Sequence, residues 1–132
     1  SIVLNKFINK EIGNNIILSY KRASNILEYE SNNKELEISN SIDPELFKSE
    51  YEKNLYKKIL KLRKYFTSIN RDENYELTLE NLADSKKVVF EFFDNVKVND
   101  EDKTIQKNRL ELLHLFCKSF DNYILFSSIE SL

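Results

Sequence analysis

The sequence predicts an all-α protein, a single bundle of five or six helices. Three observations carry that expectation. The 132 residues include one Gly and one Pro, too few turn-formers for a β-sandwich or barrel. Apolar residues recur at helical spacing rather than in alternation over most of the chain. Asp43-Pro44-Glu45 is a helix start: Asp caps, Pro suits the first helical position, and Glu complements the positive end of the dipole.

Taken in order, Ile2, Val3, Leu4, Phe7 and Ile8 mark a first helix to Lys10, broken by Gly13 and the Asn14-Asn15 pair. Ile16 to Tyr29 is a second, with Ile16, Ile17, Tyr20, Ala23, Ile26 and Leu27 on one face. The polar, Asn- and Ser-rich stretch from Glu30 to Ser41 reads as a mobile loop. From Asp43 a helix is expected to about Tyr65 or Ile69, turning Leu46, Phe47, Leu55, Ile59, Leu62 and Phe66 inward. A break follows from Asn70 to Asn74. The next helix starts near Tyr75 with Leu77, Leu79, Leu82 and Ala83, and Asp84-Ser85 either interrupts it or caps a new one from Lys86 to Asp94. The last long helix begins near Asp102 or Lys103 and runs to about Phe126, with Ile105, Leu110, Leu112, Leu113, Phe116, Phe120 and Ile124 as core. No heptad pattern is sustained and no internal repeat is visible.

The length suits one domain spanning 1–132. With 41% hydrophobic and 32% charged residues, a soluble globular domain with a core is expected. No apolar run approaches the ~20 residues that span a bilayer, so no membrane partner is expected, and Ser1 to Glu11 is amphipathic rather than signal-like. Met is absent, even at position 1, which suggests a piece of a longer chain. The single Cys117 allows no internal disulfide, and a reducing cytoplasm is the simplest compartment. The wealth of Asn, Lys, Ile, Tyr and Phe reads as the coding bias of an AT-rich genome. A net charge of −2 is not that of a basic nucleic-acid module, so any RNA contact must be local.

Few residues suggest chemistry. His114, the only histidine, has Cys117 one turn away; two ligands are too few for zinc, and no third group orients them for nucleophilic attack. A partly buried structural histidine is expected. Asp94, Asp100, Glu101 and Asp102 lack EF-hand spacing, and capping of the last helix accounts for at least one of them. No catalytic residue and no metal site are assigned. Lys53, Lys57, Lys58, Lys61, Arg63 and Lys64, interleaved with Tyr56 and Tyr65, form either a solvated helix face or a set of phosphate contacts. Lys21, Arg22 and Asn25 are a smaller version of the same feature. Phe92 and Phe93 point about 100° apart on a helix, so one can enter the core while the other faces the loop, where an aromatic beside amides can stack unpaired bases. Two buried aromatics is the plainer reading. Val96, Val98, Leu110 and Leu113 fasten this joint to the core, and Asp94 either pairs with Arg109 or touches RNA.

The order of these features carries a resemblance. YKRASNIL (20–27), DPELFKSEYEKNLYKKI (43–59), FFDNVKVNDED (92–102) and NRLELL (108–113) together resemble the C-terminal domains of bacterial glycyl-tRNA synthetase β subunits. These are similar to the helical anticodon-binding domains of arginyl-type synthetases, named after an Asp-Ala-Leu-Arg motif. The family pattern FFDxVxV followed by NRL and Leu-Leu matches at Phe92, Phe93, Asp94, Val96, Val98, Asn108, Arg109, Leu110, Leu112 and Leu113. KRxxNIL matches at Lys21, Arg22, Asn25, Ile26 and Leu27. Lys97 stands where the family usually has Met, and Thr104 to Lys107 replace a stretch that often carries an Arg. The resemblance covers about Ile12 to Phe126.

The resemblance implies a non-catalytic, tRNA-binding part of a glycine–tRNA ligase. An α subunit of the α2β2 heterotetramer would hold ATP, Mg and the chemistry, with no cofactor in this domain. The partner would be the anticodon arm of glycine tRNA, whose anticodon ends in two cytosines. Acceptors such as Asp or Asn suit the cytosine amino group. Aromatic or Arg planes stack splayed bases, and Lys or Arg hold phosphates. The residues so assigned are Lys21, Arg22, Asn25, Lys57, Lys61, Lys64, Phe93, Asp94, Lys97, Asn108 and Arg109. The competing expectation is a helical protein–protein docking module without RNA contact. A small enzyme is a third, for which the sequence supplies no convergent titratable cluster.

Overall fold

The computed structural model describes the backbone of residues 2–33, 37–68 and 75–130, and the side chains of 11, 13–31, 37–67 and 80–121. Helix α1 is Ile2–Asn33, α2 Glu50–Ser68, α3 Tyr75–Asn95 and α4 Lys103–Glu130, with a 3-10 turn at Pro44–Leu46. There is no strand among the described residues. The all-α expectation holds, but the described residues form four long helices rather than five or six.

The missing breaks explain the difference. Gly13 and Asn14-Asn15 lie inside α1. A mid-helix Gly costs only about 1 kcal/mol relative to Ala, less than the packing of buried Ile16 and Ala23 just beyond it returns. Asp84-Ser85 does not interrupt α3. Ser85 is buried and turns its hydroxyl onto the Leu82 carbonyl at 2.6 Å, satisfying itself within the helix. The break expected at Asn70 to Asn74 lies outside the described residues, as do the side chains of Leu77, Leu79 and Ile124.

Asp43 caps the short turn and not the long helix. Its carboxylate accepts from the Glu45 amide at 3.0 Å, and Phe47 N–H closes the turn on Pro44 O. The chain is then extended at Phe47, and α2 starts afresh at Glu50 behind Ser49. Ser49 and Glu52 form a capping box: Ser49 Oγ accepts from the Glu52 amide at 3.4 Å, and Glu52 Oε2 accepts from the Ser49 amide at 2.9 Å.

The described residues of the stretch expected as a mobile loop are fastened. Its first residues, through Asn33, continue α1. Further on, Glu111 of α4, 1% exposed, accepts from the amides of Ser39 at 2.6 Å and Ser41 at 3.1 Å. Asn40 takes a φ of 57°, a left-handed geometry Asn tolerates. Asn108 of α4 then brackets Asp43, accepting from its amide at 2.8 Å and donating to its carbonyl at 3.0 Å. Irregular backbone thus finds its hydrogen-bond partners on α4 side chains.

Helix α1 packs on α3 and α4, and α2 packs on the same two, so α1 and α2 take diagonal corners of the bundle. One connected core runs between them. Ile16 and Ala23 enter from α1, Leu55, Ile59 and Leu62 from α2, Leu82, Val89 and Phe92 from α3, and Leu110, Leu112, Leu113, Phe116 and Phe120 from α4. The rings of Phe116 and Phe120 lie 4.8 Å apart, and Phe66 meets Phe120 edge-on at 6.4 Å.

Candidate nucleic-acid interface

The joint between α3 and α4 is built by side chains that reach it from below. Val98, Leu110 and Leu113 are buried and Val96 packs against them, as expected. Asp102 caps α4, accepting from the Thr104 amide at 2.9 Å, and Asp100 accepts from the Asp102 amide at 2.9 Å. Part of the acidic cluster is therefore turn and cap chemistry.

Arg109 is buried and occupied from several sides. Its Nε donates to Glu52 Oε1 at 2.9 Å, and Nη1 donates to the Lys97 carbonyl at 2.6 Å and to Asp100 Oδ2 at 3.3 Å. Glu52 is fully buried. Burial alone would raise its pKa, but the bonds from Arg109, the Lys48 amide and Ser49 outweigh it and hold the carboxyl below its usual value. Asp94, the partner expected for Arg109, is exposed at the end of α3. Asn108 and Arg109, expected at an RNA surface, point inward, because a buried guanidinium needs a carboxylate and a backbone that needs partners recruits an amide.

A cleft of about 530 Å³ opens beside this joint. One wall is α1, with Arg22, Asn25, Tyr29 and Glu30; the other is the joint, with Phe93, Val96 and Asn99. Arg22, Asn25 and Tyr29 fall at i, i+3 and i+7, so they share one face of α1. Phe92 is fully buried while Phe93 is only half-buried, their rings 5.7 Å apart. The Arg22 guanidinium lies over the Phe93 ring, 4.4 Å from its centroid, a cation–π contact across the mouth of the cleft. Lys21 and Lys97 are exposed, one on each wall's element. Two of the lining residues are joined by Gln106, which does not itself line the cleft: its Nε2 donates to Glu30 Oε2 at 3.1 Å and to Asn99 Oδ1 at 2.8 Å.

The structure thus brings Arg22, Asn25 and Phe93 together, with Lys21, Asp94 and Lys97 on the same elements. Lys57, Lys61 and Lys64 are exposed along α2, on the opposite corner. Among the described residues, no carboxylate forms an ion pair with them. Sequence reasoning passed over Tyr29, Glu30, Asn99 and Gln106. Glu30 and Gln106 meet across 76 positions, a separation without local signal. Elsewhere, His114 is half-buried, and burial pushes the Cys117 thiol up to about 12, which leaves it protonated and inert. The Tyr20 hydroxyl donates to Asp121 at 2.9 Å, and that bond, with burial, raises its pKa to about 12.

A cationic stack at the mouth of a partly apolar cleft on an all-helical frame fits the architecture the sequence motifs suggested. The sequence model described as the DALR anticodon binding domain matches residues 16–126. The chain belongs to the DALR anticodon-binding domain family. This DALR domain is similar to the glycine–tRNA ligase β subunit of Rickettsia typhi, 37% identical over 123 residues that cover 93% of this chain and 18% of the relative. The glycine–tRNA ligase β subunit of Rickettsia prowazekii is 37% identical over 118 residues, 89% of this chain and 17% of the relative. That of Rickettsia bellii is 36% identical over 126 residues, 96% of this chain and 18% of the relative. The chain therefore spans less than a fifth of the length of these curated relatives. Among the described residues of the DALR domain, no helix is long and apolar enough to cross a membrane.

Proposed function

We propose that this DALR domain is the anticodon-arm binding part of a glycine–tRNA ligase β subunit and works in the cytoplasm. The observation that carries the reading is the Arg22–Phe93 stack at 4.4 Å over a cleft otherwise lined by aliphatic and amide side chains with Tyr29 and Glu30. An unstacked base has a π-face for the Arg plane or the Phe ring, and the exposed amide of Asn25 suits its polar edge. Lys21 and Lys97 hold phosphates beside the cleft, and Lys57, Lys61 and Lys64 offer a second phosphate-contacting face. Asp94, exposed near the end of α3, accepts from an amino-bearing base edge. Asn108 and Arg109 serve by shaping the joint from inside. The domain itself catalyses nothing; ATP, Mg and glycine chemistry belong to an α subunit of an α2β2 enzyme, which acts on glycine tRNA.

The test is tRNA binding by the full-length β subunit complexed with its α subunit, at several salt concentrations. Removing a stacking plane costs about 1–3 kcal/mol per base, so Arg22→Ala and Phe93→Ala each weaken glycine tRNA binding by about tenfold with folding intact. Equal affinity of the wild-type enzyme for glycine tRNA and an unrelated tRNA at matched salt sinks the reading. Binding that ignores salt points to a protein-docking module instead.

A further inference from the structure

Gln106 is fully buried at 0% exposure, yet it belongs neither to the apolar core nor to the surface. Its Nε2 donates at once to Glu30 Oε2 on one wall of the cleft and to Asn99 Oδ1 on the other. Its Oε1 accepts from Lys103 Nζ at 3.3 Å, at the start of its own helix. Glu30 is itself only 5% exposed. The two cleft walls come from elements far apart in sequence, and residues 96–102 form no regular element that would hold one against the other. Across the mouth, the walls meet through an exposed Arg22 and a half-buried Phe93, a contact that an incoming plane can part. They also meet through Gln106, whose buried amide would lose an acceptor if either wall moved away, while Asn99 itself is exposed.

We propose that Gln106 is the positioning residue of the cleft, a buried clip that sets the distance and orientation of the α1 wall relative to the α3–α4 joint while the mouth opens to admit a nucleobase. The proposal rests on the reading of the cleft as an RNA-base site. A clip of this kind acts on the fit of one base and leaves phosphate binding elsewhere untouched. Its loss therefore lowers discrimination between anticodons without changing how steeply binding falls with salt. Mutual orientation of stacking and edge-reading groups is what base selectivity depends on.

Gln106→Glu removes the two donors and sets a carboxylate against Glu30. The reciprocal exchange, Glu30→Gln with Gln106→Glu, rebuilds the bond with donor and acceptor reversed and the total charge unchanged. Each variant is placed in the full-length enzyme. Affinity is measured for a glycine tRNA transcript and for the same transcript with its anticodon bases replaced, across a salt series, after thermal unfolding has shown the fold intact. Gln106→Glu is expected to reduce the ratio of the two affinities by about tenfold, leave the salt slope as in wild type, and regain the ratio in the reciprocal exchange. A folded Gln106→Glu that keeps the wild-type ratio overturns the clip. If Gln106→Glu does not fold, Asn99→Ala and Asn99→Asp decide: the first removes the acceptor on the joint, the second keeps it. Loss of the ratio in both, or in neither, also overturns the clip. A wild-type enzyme that does not distinguish the transcripts overturns the base-site reading itself, a different outcome from a wild-type enzyme that distinguishes them and a variant that does so equally.

Discussion

At the scale of single residues, the buried charges are the ones with most at stake. Glu52 and Arg109 join the start of α2 to the α3–α4 joint through a bond of 2.9 Å with both side chains nearly inaccessible. Removing one partner strands the other, at a cost of about 3–5 kcal/mol. Arg109→Met should lower the urea midpoint accordingly, and Glu52→Gln combined with Arg109→Met should recover part of the loss; additive effects in this double-mutant cycle would show that the two do not cooperate. Glu52 also sets a pH dependence. Its folded pKa lies below the ordinary value of 4.5, so its contribution is fully present above about pH 4.5 and is lost as pH falls through the lowered value. Stability against urea should fall less steeply below pH 4.5 in Glu52→Gln than in wild type. Cys117 is simpler: with its thiol at about 12, it should resist alkylation at pH 8 until the protein unfolds.

At the scale of elements, the helices, their inward faces and the starts of α3 and α4 were legible, and the continuity of α1 and α3 and the start of α2 were not. Spacing alone identified Leu55, Ile59 and Leu62 on α2 and Leu110, Leu113, Phe116 and Phe120 on α4, because burial repeats with the helix. Helix ends depend on local signals of about 1 kcal/mol, which tertiary packing overrides. Gly13 is such a signal, and it has a testable residue of cost. It lies inside α1 with no positive φ, so Gly13→Ala should raise stability by about 0.5–1 kcal/mol; an unchanged or lowered melting temperature would show a packing role for the missing Cβ. The start of α2 fails for a related reason. Asp43-Pro44-Glu45 and Ser49-x-x-Glu52 are both start signals, and only the second continues into a helix, because the buried Glu52 that completes its capping box also meets Arg109. The candidate site divides the same way. Arg22 and Asn25 were visible in one motif and Phe93 in another, and their meeting appears only in the fold. A motif does not separate residues that hold the fold from residues that hold a ligand, so Asn108 and Arg109 were read outward although both face in. Gln106 meeting Glu30 depends on the packing of α1 against α4 and has no trace in either neighbourhood.

At the scale of the whole molecule, charge has to be considered by position, since 20 basic against 22 acidic side chains leave a net −2. Bulk attraction to a polyanion is absent, and any RNA affinity must come from where the cations stand. Two exposed groups stand on diagonal corners: Lys21 and Arg22 on α1 beside the cleft, and Lys57, Lys61 and Lys64 on α2. The two groups should therefore respond differently. On the proposed reading, cleft residues would touch bases and affect which tRNA is chosen, while the α2 lysines would touch only phosphate and affect all RNAs alike. Removing one phosphate-binding cation makes the plot of log K against log salt shallower by about 0.7–0.9. Lys57→Ala, Lys61→Ala and Lys64→Ala together should flatten that slope by about 2–3 in the full enzyme and weaken glycine tRNA and an unrelated tRNA by the same factor. Arg22→Ala should instead shrink the ratio between the two tRNAs. A triple-lysine variant with an unchanged slope would assign the α2 stripe to a solvated helix face, and RNA docking would then centre on the α1 corner alone. A triple variant that changed the ratio would place base recognition on α2, away from the cleft.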